Sequence, residues 1–410
     1  MSIQTNNSRL KINKFGFILW PLVVFILKKI NNNIEYGQIT YVIPNGNKYT
    51  FNGLNKGPNV KISILTPRAI LRLTNDGYIG LAKGYIEGEW ITESLSDLFD
   101  FGAVNINSFD VKLTGNFISR VIYKVLHLRR ENTKQGSQKN ISEHYDLGND
   151  FFSKWLDPTM TYSSGLFIDQ NDETVENAQF NKYRRIVSEL NIQSHHRVLE
   201  IGCGWGGFAE FLAKSTNAKV TAVTISKEQF DYSKKRIKDS GLESQVSIEL
   251  CDYRDITGSY DRIVSIEMIE AVGEPYWPVY FSTLSKLLRP EGTAMLQAIT
   301  VPDDEFEDYR SNVDFIQHFI FPGGMLLSPG KIVQHSQAAG LSLIENFSFA
   351  ESYSLTLDKW QESFNRNWIE ISQLGFDDKF KRLWNYYLSF CSAGFRSSLD
   401  IGQFSLRKIK

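Results

Sequence analysis

Residues 198–208 read VLEIGCGWGGF, a short apolar run followed at once by glycines at 202, 204 and 207. The spacing is G-x-G-x-x-G, which lets a chain leave a strand through a tight turn and bring its backbone close to a ligand before a helix starts. Alone, this pattern serves dinucleotide oxidoreductases and methyl-transfer folds alike. The flanking sequence narrows the choice. Arg197 to Ile201 reads as a strand, FAEFLAKS (208–215) as a helix, AKVTAVTIS (218–226) as a second strand and KEQFDYSKKRIKDSG (227–241) as a second helix ended by Gly241. VSIELCD (246–252), YDRIVSIEM (260–268) and GTAMLQAIT (292–300) supply three further strands. Alternating strands and helices predict an α/β fold with a doubly wound, mostly parallel sheet, whose ligands lie at the carboxyl ends of its strands.

The acids near those ends discriminate between nucleotides. A dinucleotide site calls for a carboxylate roughly 20 residues past the turn, to hold a ribose hydroxyl. Here the second strand ends in VTIS, with Thr224 and Ser226 and no acid. Glu200 instead precedes the turn, Asp252 ends the third strand, and Glu267 and Glu270 close the fourth. S-adenosylmethionine carries a sulfonium and an ammonium and has no pyrophosphate, so a carboxylate beside the turn suits it better than a nicotinamide dinucleotide. Each acid taken singly reads equally well as a solvated strand end.

The remaining sequence sets the organisation. With 410 residues, the chain has material for two or three domains. Its 45 Lys and Arg against 46 Asp and Glu give a net charge of −1, which provides no field to attract nucleic acid. Three dispersed cysteines, Cys203, Cys251 and Cys391, suit neither a disulfide framework nor a zinc site and fit a reducing compartment. Residues 1–35 form an apolar arm in which KINKFGFILWPLVVFILKK (11–29) sets an apolar run between lysines. The run is shorter than the roughly 20 residues that span a bilayer, and no small-residue cleavage site follows it. It reads as a helix lying at the membrane interface or as an arm packed on the next domain. Residues 36–105 form a small α+β domain: GQITYVIP and NKYTFNG make a hairpin about Asn45-Gly46, NVKISILT a third strand, and residues 67–90 an amphipathic helical stretch broken at Gly77 and Gly80. A helical and polar linker occupies 106–140, including RRENTKQGSQKN at 129–140, and the domain of alternating strands and helices runs from 141 to 410.

Across that last domain HYDLGNDFFSKWLDPTMTYSSGLF, VLEIGCGWGGF, VTISKEQ, IEMIEAVG, FIFPGG and YYLSFCSAGFR follow one another in order. This succession closely resembles the cyclopropane-fatty-acyl-phospholipid synthase family of S-adenosylmethionine-dependent enzymes. The segment from EYGQITYVIP to GYIEGEW is similar, more loosely, to the lipid-associated amino-terminal domain of its longer members. The resemblance implies transfer of a one-carbon unit onto the cis double bond of an unsaturated phospholipid acyl chain. A carbocation forms on the chain. Loss of a proton from the new methyl group closes a cyclopropane ring, whereas loss of a neighbouring chain proton leaves a methyl-branched alkene. It implies a cofactor site in which Tyr162 and Ser163 cover the methionine portion, Gly202 and Gly204 admit the ligand beside Glu200, Thr224 and Gln229 meet the ribose and methionine end, and Asp252, Tyr253 and Arg254 line the adenine pocket. Tyr253 is equally readable as core packing.

Bicarbonate is the base in the family, held by a cysteine, a glutamate, a histidine, an isoleucine backbone and a tyrosine. Glu270 matches the glutamate, Ile299 the isoleucine and Tyr353, in AESYSLTLDKW, the tyrosine. The cysteine is replaced by Ser164 and the histidine by Gln297. Both replacements can donate a hydrogen bond, but glutamine cannot take and release a proton near neutral pH. The pair resembles a divergent bacterial branch, some of whose members make methyl-branched chains. Cys391 matches a cysteine once assigned as a nucleophile; since this chemistry needs no covalent enzyme intermediate, packing or lining a cavity is its expected role. His144 reads as a structural or capping residue as readily as a catalytic one, and no metal site is expected. RSNVDFIQHFIFPGGMLLSP (310–329) is a candidate wall or lid over the acyl chain, with Gly323 and Gly324 as hinges, or else ordinary core. The expected setting is the cytoplasmic face of a membrane, with a homodimer and a membrane surface among the expected partners. Two other readings stand beside this one: methylation without ring closure, and a lipid-binding protein without catalysis.

Overall fold

The computed structural model describes residues 14–109, 123–124, 132–134, 136–137, 147–169 and 172–409. Most of the expected linker, together with His144 and Tyr145, lies outside the described residues. The chain divides into two units, Met1–Arg120 and Val121–Lys410.

In the first unit the apolar arm is a helix, α1 (Lys14–Ile30). Val23, Leu27 and Ile30 fall on one face at helical spacing and are buried, while Leu22 and Phe25 on the other face are exposed. Among the described residues no helix is long and apolar enough to cross a membrane. Strands β1 (Tyr36–Val42) and β2 (Lys48–Asn52) form the expected hairpin, and β3 (Asn55–Ile64) pairs with β1 in parallel. A short strand, β4 (Trp90–Thr92), completes a sheet of order β2-β1-β3-β4. Helix α2 (Arg68–Ile86) breaks at Gly77, whose φ of 60° and ψ of −137° leave the helical region. Gly80 is no break. It stays helical, and lacks a side chain because the Arg72 carbonyl packs against it. After helix α3 (Leu95–Val104), the fully buried Asn105 stitches the unit together. Its Oδ1 accepts from the backbone N–H groups of Glu35 and Tyr36 at 2.9 and 3.0 Å, and its Nδ2 donates to Tyr36 O and Phe101 O, both at 3.0 Å.

The second unit holds a seven-stranded sheet of order β10-β11-β9-β8-β5-β6-β7. The five foreseen strands, β5 (Arg197–Ile201), β6 (Lys219–Thr224), β7 (Val246–Leu250), β8 (Tyr260–Ile266) and β9 (Leu288–Thr300), are mutually parallel. Alternate residues divide between two cores: Leu199, Ile263 and Leu296 pack under the Trp277–Leu287 helix, and Val198, Val264 and Met295 under the Val175–Glu189 and Gly207–Thr216 helices. Helices therefore cover both faces, as the apolar strands require. Two strands were not foreseen. β10 (Leu341–Ser348) and β11 (Asp400–Lys408) extend the sheet antiparallel beyond β9. Between them the paired helices Ala350–Arg366 and Asp378–Ser397 carry Tyr353 and Cys391. The strand order reverses between β5 and β8, so the crevice at their carboxyl ends is where a ligand belongs.

Replacing Asn105 with alanine strands two buried N–H groups and two carbonyls, and should cost roughly 2–4 kcal/mol. Urea unfolding of the full chain checks it: the transition of the first unit should move to lower urea, and an unshifted curve would remove Asn105 as the stitch.

Candidate active site

The glycine turn leaves β5 with φ of 82° at Gly202 and 52° at Gly204, values that favour residues without a side chain. A Cβ built on Gly204 would meet nothing within 4 Å, so the turn faces open space. Just before it, Glu200 is buried with Oε2 unpartnered, and burial raises its carboxyl to about 8, opposed by Lys182. An unpaired buried acceptor beside an open backbone turn fits a ligand that brings a positive charge or a donor. Thr224 donates to Gln229 Oε1 at 2.8 Å, at the end of β6, and Ser226 caps the helix that follows. Asp252 is engaged at home: its carboxylate accepts from Arg254 Nε at 2.8 Å and Nη2 at 2.6 Å. Tyr253 is buried edge-on against Tyr280, as the core-packing alternative requires.

Across the crevice the carboxyl end of β8 presents two acids. Glu270 Oε1 accepts from the backbone N–H of Ile299 at 2.7 Å, while its Oε2 is buried and unpartnered. Burial, with Glu267 adding like charge, pushes Glu270 up to about 8. Glu267 has the opposite surroundings. Its Oε1 accepts from Ser164 N at 2.9 Å and Gln297 Nε2 at 2.8 Å, and its Oε2 from the Tyr353 hydroxyl at 2.7 Å. Burial raises this carboxyl too, but Lys182 and the three donors pull it down. Three of the positions expected to hold a free anion thus converge on a side chain that sequence reading noted only as the end of a strand. The Ser164 hydroxyl departs from expectation: it turns away and donates to Gly165 O at 2.8 Å, leaving only its backbone N–H in the site.

Above the acids, Tyr162 shares a hydrogen bond with Tyr387 at 2.7 Å, and its ring lies among those of Phe152, Trp155, Trp360 and Phe321. Asn149 accepts from Trp205 Nε1 at 2.6 Å and anchors this aromatic wall to the glycine turn. Ser163 is held below, its Oγ accepting from Lys182 Nζ at 2.6 Å and its carbonyl from Gln179 at 2.8 Å. Burial lowers the Lys182 ammonium to about 7, against the pull of Glu267, Asp157 and Glu200. Lys182 and Gln179 escaped sequence reading, although their wholly buried polar ends on an otherwise amphipathic helix are a signal visible once burial is known. Segment 310–329 serves partly as core, with Phe315 packed on Tyr386 and Phe390, and partly as wall through Phe321. Cys391 is half-buried and burial pushes its thiol upward, which keeps it protonated and suits packing.

Sheet order, glycine turn and switch-point acids define a class I S-adenosylmethionine-dependent methyltransferase fold. Residues 132–404 match the family described as Mycolic acid cyclopropane synthetase, and the chain belongs to that family. It is 36% identical over 343 residues to tuberculostearic acid methyltransferase UfaA1 of Mycobacterium tuberculosis, covering 82% of this chain and 80% of that one. It is 35% identical over 346 residues to the cyclopropane-fatty-acyl-phospholipid synthase of Escherichia coli, covering 84% and 86%. Among solved structures, the cyclopropane synthase MmaA2 of Mycobacterium tuberculosis superposes with a TM-score of 0.62 at 29% identity, over 66% of this chain and 98% of its own.

Gly207, third in the fingerprint, is needed for close packing. A Cβ there would sit 2.6 Å from Thr159 O and 3.1 Å from the Tyr183 hydroxyl. Gly207→Ala should destabilise the second unit by about 1–3 kcal/mol and push residues 159–164 outward. Urea unfolding together with amide exchange over that stretch tests this; an unchanged exchange pattern would sever the turn from the wall above it.

Proposed function

We propose that the protein transfers the one-carbon unit of S-adenosylmethionine to the cis double bond of an unsaturated phospholipid acyl chain and closes a cyclopropane ring. The observation that carries this reading is the pair of buried acids, Glu267 and Glu270, under an aromatic wall at the switch point beside the glycine turn. An alkene is a weak nucleophile, and the cofactor, when bound, supplies a methyl group on a positively charged sulfur. The chain's own residues would do the rest. Glu200, Gly202, Gly204, Thr224 and Gln229 would hold the cofactor, with Tyr162 and Ser163 over its methionine portion. Tyr162, Trp360 and Phe321 would exclude water and set aromatic faces around the cation that develops on the chain. Tyr353, Gln297 and Ile299 would hold the two acids, at which the proton leaves. At roughly 0.8 kcal/mol per buried methylene, an apolar tail offsets much of its extraction from a bilayer. The exposed Leu22 and Phe25 of α1, with Lys28 and Lys29 at its end, favour contact with a membrane surface at its cytoplasmic face.

A second reading, methylation without ring closure, is favoured by Gln297 where a histidine is expected. The two part on the label. In a host without its own cyclopropane synthase, fed methionine with a fully deuterated methyl group, the lipid of a ring-forming enzyme should lack one deuteron and resist mild hydrogenation. A product that keeps every deuteron, or that takes up hydrogen, would overturn ring closure. Lipid with no label at all would remove the transfer itself.

The Glu200 carboxyl is protonated at pH 7 in the free protein, and a cationic ligand favours its ionised form. Cofactor binding should therefore release most of one proton at pH 7 and far less at about pH 9, above its raised value. Calorimetric titration in buffers of different ionisation enthalpy measures the release, and heats independent of buffer would dissociate Glu200 from the cofactor.

A further inference from the structure

We propose that the Glu267 side chain occupies the position of the free anion, so that this enzyme carries its own base and works without bicarbonate. The inference rests on the one-carbon transfer proposed above and concerns how the proton leaves.

Each donor that would hold an exogenous anion is already spent. Ser164 N, Gln297 Nε2 and the single hydroxyl proton of Tyr353 go to the two oxygens of Glu267, and Ile299 N goes to Glu270. The Ser164 hydroxyl is committed to Gly165 O. A bicarbonate placed here would lie against the Glu267 carboxylate and find none of these hydrogen bonds, and the residues do not fit it.

The chain also accepts strain to keep this side chain in place. Glu267 has φ of 47°, in the left-handed region where glycine is the ordinary occupant, and its backbone N–H is pinned to Gln297 O at 2.8 Å. Such outliers persist where surrounding structure over-determines them, and they cluster at active sites. The donor facing it is fixed in turn. Arg185 Nη1 donates to Gln403 Oε1 at 2.8 Å, and Gln403 Nε2 donates to Gln297 Oε1 at 3.0 Å. This chain leaves the Gln297 amide one orientation, with its N–H toward Glu267. Glutamine in place of a histidine then has a reason: next to a permanent carboxylate, a fixed neutral donor is enough.

The proton balance closes without a further reactant. Methyl transfer leaves a cation on the second alkene carbon. Glu267 takes a proton from the new methyl group, the released C–H electron pair forms the third bond of the ring, and the carboxylate becomes a carboxylic acid that returns its proton to solvent.

The test uses the full chain with phosphatidylglycerol vesicles bearing cis-unsaturated chains, in buffer freed of carbon dioxide. Wild-type turnover should change less than about twofold when bicarbonate is restored. Glu267→Gln, which keeps the shape and loses the base, should lower turnover at least about 100-fold with little change in cofactor affinity. Glu267→Gly suits the backbone angle and opens the anion position, so added bicarbonate should restore part of its rate. Calorimetric titration of bicarbonate into the protein without lipid gives a readout apart from turnover: no binding to wild type, and saturable binding to Glu267→Gly. Wild type that binds bicarbonate or depends on it, or a Glu267→Gln variant of near-normal rate, would overturn the inference. Absence of any lipid turnover by wild type would instead count against the proposed function, with the bicarbonate titration still deciding who holds the anion position.

Discussion

A carboxylate removed from water must have its oxygens met by donors, and that requirement ties the second unit together around Glu267. Its donors come from residues 164, 297 and 353, one from a loop, one from β9 and one from a helix that follows β10. None of these segments adjoins another in sequence. The parallel pairing of β8 with β9 sets Gln297 beside the end of β8, bonds from Gln179 to the Ser163 carbonyl and from Gly165 N to Thr356 hold the loop carrying Ser164, and the antiparallel extension brings in the helix carrying Tyr353. Misplacing any one of the three would leave a buried charge short of a partner, at a cost of a few kcal/mol.

The same economy explains the difference between the two acids three residues apart. Glu267 receives three donors and faces the Lys182 ammonium, whereas Glu270 receives one and faces Glu267. Burial alone would drive both toward the neutral form. The surroundings then divide them: Lys182 and three donors oppose the rise at Glu267, whereas the like charge of Glu267 adds to it at Glu270.

Much of the fold was legible because the strands of a sheet covered on both faces are written as apolar runs between turn residues. The five parallel strands, the glycine turn and the hairpin of the first unit could be read directly. β10 was not, since its alternation runs through polar Ser342, Glu345 and Asn346, and β11 was hidden because Gln403 and Ser405 interrupt its apolar pattern yet are buried. The site was legible as a set of residues and less so as a set of contacts. Tyr353, Gln297, Ile299 and Glu270 could be named from the order of motifs. What Ser164 gives to the site is a backbone N–H, which no residue identity reveals, and Glu267 was indistinguishable from a solvated strand end until its partners were seen. Gly80 misled for a related reason: a glycine kept for a close approach looks in sequence like one kept for a turn.

The position of β11 has a consequence for how the second unit is made. This strand, at residues 400–408, lies between β9 and β10 and is almost wholly buried. Until it is in place β9 has an open edge, and β10 has nothing to pair with among the described strands. Gln403, which sets the orientation of Gln297, lies on it. During synthesis the parallel strands emerge long before this one, exposing an apolar edge for the time taken to make a further hundred residues or so. Closing the sheet is therefore a late, non-local event, slow by the measure of contact order. It is also the step that completes the site: a chain that has not folded β11 has neither a finished sheet nor an aligned carboxylate.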